Sequence, residues 1–171
     1  MLVLLPLFSL SAQTPVVYET EVSFRNFTWG TSEEDVIKKM GQPISREAHN
    51  EMVSLVWENV PFGEYITYTI AYFSKSGLQA GIYYFVTNNL DHLGRCFTAL
   101  RQELKNRYGP TLYMYEGVVR ELRLYECSWN LPGGYIYLKT NTRQGEPVSL
   151  WYSSPEFTKQ LFGDKPVTAH R

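Results

Sequence analysis

The chain is short of charge. Of its 171 residues 19% are Asp, Glu, Lys or Arg, against about a quarter in an average soluble domain. Sixteen basic side chains are offset by seventeen acidic ones, a formal net charge of −1. The basic footprint that nucleic acid or an anionic lipid surface requires is therefore absent, and neither is expected as a partner. Cysteine is scarce too, with only Cys96 and Cys127. With no C-x-x-C pair, and with His49, His92 and His170 in unrelated segments, no four-ligand metal set can be assembled, and no cofactor is expected. The sequence holds no Gly-x-Ser-x-Gly, no His-Glu-x-x-His and no phosphate-cradling glycine loop after a strand. Glu33-Glu34-Asp35 read as first-turn residues complementing a helix dipole, not as a catalytic carboxylate group. A non-enzymatic protein is the expectation. Past Gln13 no apolar run approaches the length of a membrane-spanning helix.

What is present is apolar and aromatic: 44% hydrophobic residues, 15% aromatic, with thirteen Tyr and four Trp. A chain of this length and composition folds as one compact unit or as two small ones sharing a core. Residues 1–12 carry no charge, and Leu2 to Phe8 followed by Ser9, Ser11 and Ala12 resembles the core and processing site of a signal peptide. Export to the periplasm or the outside of the cell is expected, with Gln13 as the first mature residue. The alternative is that Leu2 to Phe8 form a buried strand. No Cys follows the apolar block, which argues against a lipid anchor.

Ser32 precedes acidic residues and an apolar stripe of Val36, Ile37 and Met40 that stops at Gly41 and Pro43, the pattern of a short capped helix. Val53 to Val60, Tyr65 to Ser74 and Leu78 to Thr87 are β-branched and aromatic runs separated by turn residues, an antiparallel meander. Asn89 then caps a longer helix in which Leu90, Leu93, Phe97, Leu100, Leu104 and Tyr108 recur at helical spacing before Gly109-Pro110. Leu122 to Leu131, Tyr135 to Thr142 and Val148 to Ser154 repeat the strand pattern, and Tyr113 to Val119 adds a candidate strand. Phe157, Leu161 and Phe162 could dock a last turn of helix.

The two halves run alike: helix, Gly with Pro close behind, a Trp-bearing strand, a Pro/Gly turn and a Tyr-Ile strand. Trp57 to Ile66 aligns with Trp129 to Ile136. The sequence thus predicts an α+β fold of two tandem helix-plus-meander units, over about 24–87 and 89–154, forming a two-layer sandwich with the helices on one face of the sheet. Residues 13–171 would form one domain with a polar C-terminal tail, since no linker separates the halves.

Phe24-Arg-Asn-Phe27-Thr-Trp29-Gly30-Thr31-Ser32, the helical Val36 and Gly41-Gln-Pro43 resemble the opening motif of small secreted bacterial α/β modules. These are related in fold to the β-lactamase inhibitor protein and to the small lipoprotein of the outer-membrane β-barrel assembly machinery. Tyr108-Gly109-Pro110, Trp129 and Ile136-x-Leu138 resemble families that carry both halves in one chain. The resemblance spans about residues 24 to 154, and its motifs are structural. It does not transfer a partner: Gly30-Thr31-Ser32 replaces Gly-Met-Thr, the lipid-attachment cysteine is missing, and the inhibitor's two local disulfides have no counterparts.

Alternation divides each strand between two faces, and the more aliphatic face is assigned to the helices. Val53, Leu55, Trp57, Ile66, Tyr68, Ile70, Tyr72, Leu78, Ile82, Tyr84 and Val86 then point inward, with Tyr125, Cys127, Trp129, Ile136, Leu138, Val148, Leu150 and Tyr152 from the second half. Cys96 and Cys127 fall between helix and sheet, either bridged or packed as two thiols. The opposite face receives Phe73, Tyr83, Phe85, Tyr135, Tyr137 and Trp151, an aromatic patch suited to an envelope or extracellular protein partner. A small apolar ligand in a cleft is the alternative function. Val16 to Phe24, the tail after Pro155 or a second copy of the chain could instead cover that patch.

Overall fold

A computed structural model describes residues 16–86, 89–119, 121–141, 143 and 147–162; the expected export signal over residues 1–12 lies outside them. The element order is α1 (Glu33–Met40), β1 (Ser45–His49), β2 (Met52–Phe62), β3 (Tyr65–Ser74), β4 (Gly77–Phe85), α2 (Leu90–Tyr108), β5 (Tyr113–Val119), β6 (Leu122–Leu131), β7 (Gly134–Asn141), β8 (Val148–Ser153) and α3 (Pro155–Phe162). The strands form one eight-stranded antiparallel sheet in the order β1-β2-β3-β4-β8-β7-β6-β5, so the fold is α+β. Each run of four strands is a meander, and the two last strands, β4 and β8, pair to join the meanders.

Local chemistry explains the helix ends. Ser32 Oγ accepts from the Asp35 amide at 3.1 Å and caps α1, and Asn89 Oδ1 accepts from the Asp91 and His92 amides and caps α2. Gly41 and Gly109 end the two helices at φ of 88° and 85°, a region that costs a side chain dearly and a glycine little. Each glycine carbonyl then accepts an indole: Trp57 Nε1 donates to Gly41 at 2.9 Å and Trp129 Nε1 to Gly109 at 3.0 Å. The two Trp-bearing strands, β2 and β6, are thereby tied to the ends of α1 and α2 in the same way.

The core lies on one side of the sheet. Val36 of α1 and Leu93, Cys96, Phe97, Leu100, Leu104 and Tyr108 of α2 pack there against Leu55, Trp57, Phe73, Tyr83, Phe85, Cys127, Trp129, Ile136, Leu138, Val148, Leu150 and Tyr152. The N-terminal segment shares this layer through Val22, Phe24 and Phe27, whose tight turn holds Arg25 and Asn26 at positive φ. Room for it is made on the strands, since a Cβ at Gly81 would run into the Phe24 ring. Ala71 and Thr69 near it are also modest in size and fully buried. Backbone bonds between Gly30 and Leu78 and between Leu78 and Thr31 fasten the segment to β4.

Three expectations change. In β3 and β4 the phase is reversed: Thr67, Thr69, Ala71 and Phe73, then Tyr83 and Phe85, are buried with the helices. Ile66, Tyr68 and Val86 are exposed. The aliphatic side faces away because the core volume in this half is filled by aromatic rings from the N-terminal segment. The buried threonines are satisfied, with Thr67 Oγ1 donating to the Val60 carbonyl at 3.0 Å and Thr69 Oγ1 at 3.0 Å from it.

The Cys96–Cys127 bridge is not formed; both are free, buried thiols. Both belong to the core cluster between α2 and the sheet.

Third, the helices were expected on one face of the sheet, but α3, which forms the expected last helix, adds none of its described residues to the core cluster. Its Thr158 instead shares a hydrogen bond of 2.8 Å with Ser153, whose side chain alternates to the face opposite the core. Ser154 Oγ accepts from the Phe157 amide and holds the first turn.

Candidate functional site

Strand register carries the opposite face across the whole sheet in ordered rows. One row reads Ser45, Val56, Ile70, Ile82, Trp151, Tyr137, Ser128 and Tyr113, one residue from each strand. A second reads Tyr68, Tyr84, Ser149, Lys139, Glu126 and Tyr115. A third reads Glu47, Ser54, Tyr72, Ala80, Ser153, Tyr135 and Asn130. Glu47, Lys139 and Glu126 are the only charges in the three rows, whereas Tyr occurs seven times and Trp once. α3 docks on the third row, where Ala80, Ser153 and Tyr135 are buried. The first two rows remain the open part of the face.

Of the residues expected on this face, Tyr135, Tyr137 and Trp151 are on it, with Tyr135 buried. Phe73, Tyr83 and Phe85 are not, and this corrects the expectation. Tyr83 is 3% exposed, with its ring 5.0 Å from Phe24 and 4.7 Å from Phe62. Tyr68, Tyr72, Tyr84, Tyr113 and Tyr115 take their place, and all five were missed. The signal that finds them is the register: Tyr83 lies opposite the core residue Leu150, so Tyr84 must face the other way.

The rings of the face shield one another. Tyr135 and Tyr137 stack at 6.3 Å with planes 17° apart, Ile82 is fully buried beneath its neighbours, and Tyr68 is 45% exposed. Burial drives the phenols toward their neutral form. It raises Tyr72 and Tyr84, the latter also through Tyr72. It pushes Tyr135 up to about 12, with nearby Ser128 pulling the other way. Tyr137 is raised by burial first and then by the nearby Glu126 carboxylate. At neutral pH these hydroxyls are hydrogen-bonding groups and not bases. Ser149 Oγ and Trp151 Nε1 are buried and find no acceptor or donor among the described residues, each such orphan costing about 1–3 kcal/mol.

The remaining polar residues do not converge. Glu33 pairs with Arg46 at 2.7 Å, His49 ends β1, and His92 is exposed in the first turn of α2; His170 lies outside the described residues. Burial pushes the Cys96 and Cys127 thiols up to about 12, which leaves neither as a thiolate near neutral pH. On the core side, an open groove of about 1060 Å³ runs between α2 and strands β5 to β7, with Phe97 and Tyr125 among its apolar lining and Asp91, Arg95, Arg101 and Glu116 among its charged lining.

Comparison with protein-family models, with curated proteins and with solved structures found no match for the chain. No helix among the described residues is long and apolar enough to cross a membrane.

Proposed function

We propose that the chain is an exported, non-enzymatic interaction module of the cell envelope, periplasmic or secreted, that docks a protein partner through the sheet face bearing Tyr68, Tyr84, Tyr115, Tyr137 and Trp151. The observation that carries this reading is the pair of open rows, whose aromatic, aliphatic and hydroxyl side chains are joined by one pair of opposite charges, Lys139 and Glu126. Interface centres are enriched in Tyr and Trp and depleted of Lys, Glu and Asp. Tyr and Trp also supply rigid contact area with few rotamers to freeze on binding.

The same reading makes the chain a duplication of one helix-plus-meander unit, with α1 and α2 as its helix layer, in the manner of the secreted modules its motifs resemble. It is supported by the paired indole-to-glycine bonds at the ends of α1 and α2 and by a strand order that reads the same from both edges toward β4 and β8. Raised thiol and phenol pKa values support the non-enzymatic part. The rival reading, a small apolar ligand, has the groove beside α2 as its best site, but two arginines and two carboxylates in its lining suit an apolar molecule poorly.

The test pairs stability with capture. The mature protein is used to capture partners from its own envelope extract, alongside Tyr84→Ala, Tyr137→Ala and Trp151→Ala. Truncated interface anchors commonly cost about 2 kcal/mol or more, roughly a thirtyfold loss of affinity. The expected result is a specific partner lost in all three variants with the melting temperature lowered only slightly. Capture unchanged in all three would refute the assignment of this face.

A further inference from the structure

The two edges of the sheet differ in kind. β1, Ser45-Arg-Glu-Ala-His49, carries Arg46, Glu47 and His49 among its five residues, and Arg46 is tied to Glu33. Charges of this sort discourage pairing with another chain. β5, Tyr-Met-Tyr-Glu-Gly-Val-Val, carries only Glu116. Met114 is 60% exposed and Val118 65%, and among the described residues β5 pairs with β6 alone. Its outer row of backbone N–H and C=O groups is therefore a template of the kind strand addition uses.

A second observation lies next to this edge. Glu116 belongs to the lining of the groove between α2 and the second half of the sheet, together with Phe97 and Tyr125. A strand added outside β5 would send every other side chain to that side of the sheet, where the edge presents Met114, Glu116 and Val118 in turn. Glu116 has no ion-pair partner among the described residues.

We propose that β5 accepts a strand from another protein: an extended segment, apolar at alternate positions, with Lys or Arg at its centre opposite Glu116. A second copy of this chain fits less well. Antiparallel self-pairing about the middle of the strand sets Glu116 against Glu116 of the other copy, and like charges directly opposite are destabilising. A central cation removes that repulsion, while apolar neighbours cover Met114 and Val118.

Random seven-residue peptides displayed on phage, panned against the folded chain, test this even while the natural partner is unidentified. The expected peptides alternate apolar residues around a central Lys or Arg. On binding, the outward amides of residues 113–119 should become protected from hydrogen exchange. Val118→Lys should weaken the selected peptides about tenfold or more. Glu116→Lys should reverse the central preference to Asp or Glu, a switch that mere loss of folding cannot produce. Tyr84→Ala and Trp151→Ala should leave peptide binding intact, which separates this edge from the tyrosine face: either surface can fail while the other stands. No enrichment, enriched peptides indifferent to Val118→Lys and Glu116→Lys, or a dimer by sedimentation that Val118→Lys dissolves would each overturn the proposal, the last in favour of self-association.

Discussion

Tyr83 and Tyr84 are neighbours in β4, and replacing each by Ala isolates the effect of the face on which a side chain stands. Tyr83 is 3% exposed and its ring meets four others, with centroids 5.0 Å from Phe24, 4.7 Å from Phe62, 6.4 Å from Phe85 and 6.1 Å from Tyr152. Truncation removes the transfer energy of the ring, leaves a cavity among four aromatics that cannot collapse into it, and should cost about 3–5 kcal/mol. For a chain of this size each kcal/mol lowers the melting temperature by about 2–4 °C, so a fall of roughly 6–20 °C is expected. Tyr84 stands half-buried on the open face, where Ala should cost about 1 kcal/mol. Tyr83→Phe keeps the ring and removes only a hydroxyl beside Arg25, at a cost of about 1 kcal/mol. Urea denaturation and calorimetry on the three variants give the ordering. Equal costs for the two Ala variants, or a larger one at Tyr84, would mean that β4 is in the opposite phase and that the tyrosine face is the core.

Trp57→Phe and Trp129→Phe should each lose one indole-to-carbonyl bond and cost about 1.5–3 kcal/mol; the sites are far apart, so the double variant should be additive in urea denaturation. Cys96 and Cys127 should resist alkylation in the native protein, and intact mass should be the same with and without reductant, whereas a gain of two hydrogens on reduction would reinstate the bridge. Stability should fall in alkali. Cys96, Cys127 and Tyr135 titrate near 9 or 10 when unfolded and are pushed up to about 12 in the fold. Below about pH 9 both states keep these protons and the contribution is whole. Above it the unfolded chain releases them first, and stability is lost up to about pH 12. A urea midpoint that holds constant between about pH 8 and pH 11 would refute the burial of these groups.

The helices were legible because their signals are local: Ser32 and Asn89 as caps, Gly41 and Gly109 as stops, and an apolar stripe between. Most strands were legible for the same reason, since the runs from Tyr65 to Ser74 and from Leu122 to Leu131 carry their own turn residues. β1 was not, because an edge strand of Ser-Arg-Glu-Ala-His buries no large apolar side chain and is held by its pairing with β2. The free cysteines were illegible because a place between helix and sheet does not say whether two thiols meet.

The candidate face was half legible, and the reason is a matter of volume. In β7 and β8 the helix-facing residues Ile136, Leu138, Val148 and Leu150 are aliphatic, so choosing the aliphatic side finds the core. In β3 and β4 that choice fails, because Phe24 and Phe27 arrive from the N-terminal segment and fill the space that strand side chains would otherwise occupy. What the strands contribute there is room, in Gly81, Ala71 and Thr69, and Ile66, Ile70 and Ile82 are left for the far side. Hydropathy alone cannot distinguish a face that is small because it is solvated from one that is small because something large lies on it. Register can. Once Leu150 is known to be inward, its pairing with Tyr83 sends Tyr84, Ser149 and Trp151 outward together, and the alternation carries Tyr68 and Tyr72 with them. A slip of one residue between β4 and β8 would turn the whole first half over, exchanging a packed aromatic cluster for a row of tyrosines. The phase of four strands, and with it the location of the proposed interface, therefore rests on the one strand pair that joins the two meanders.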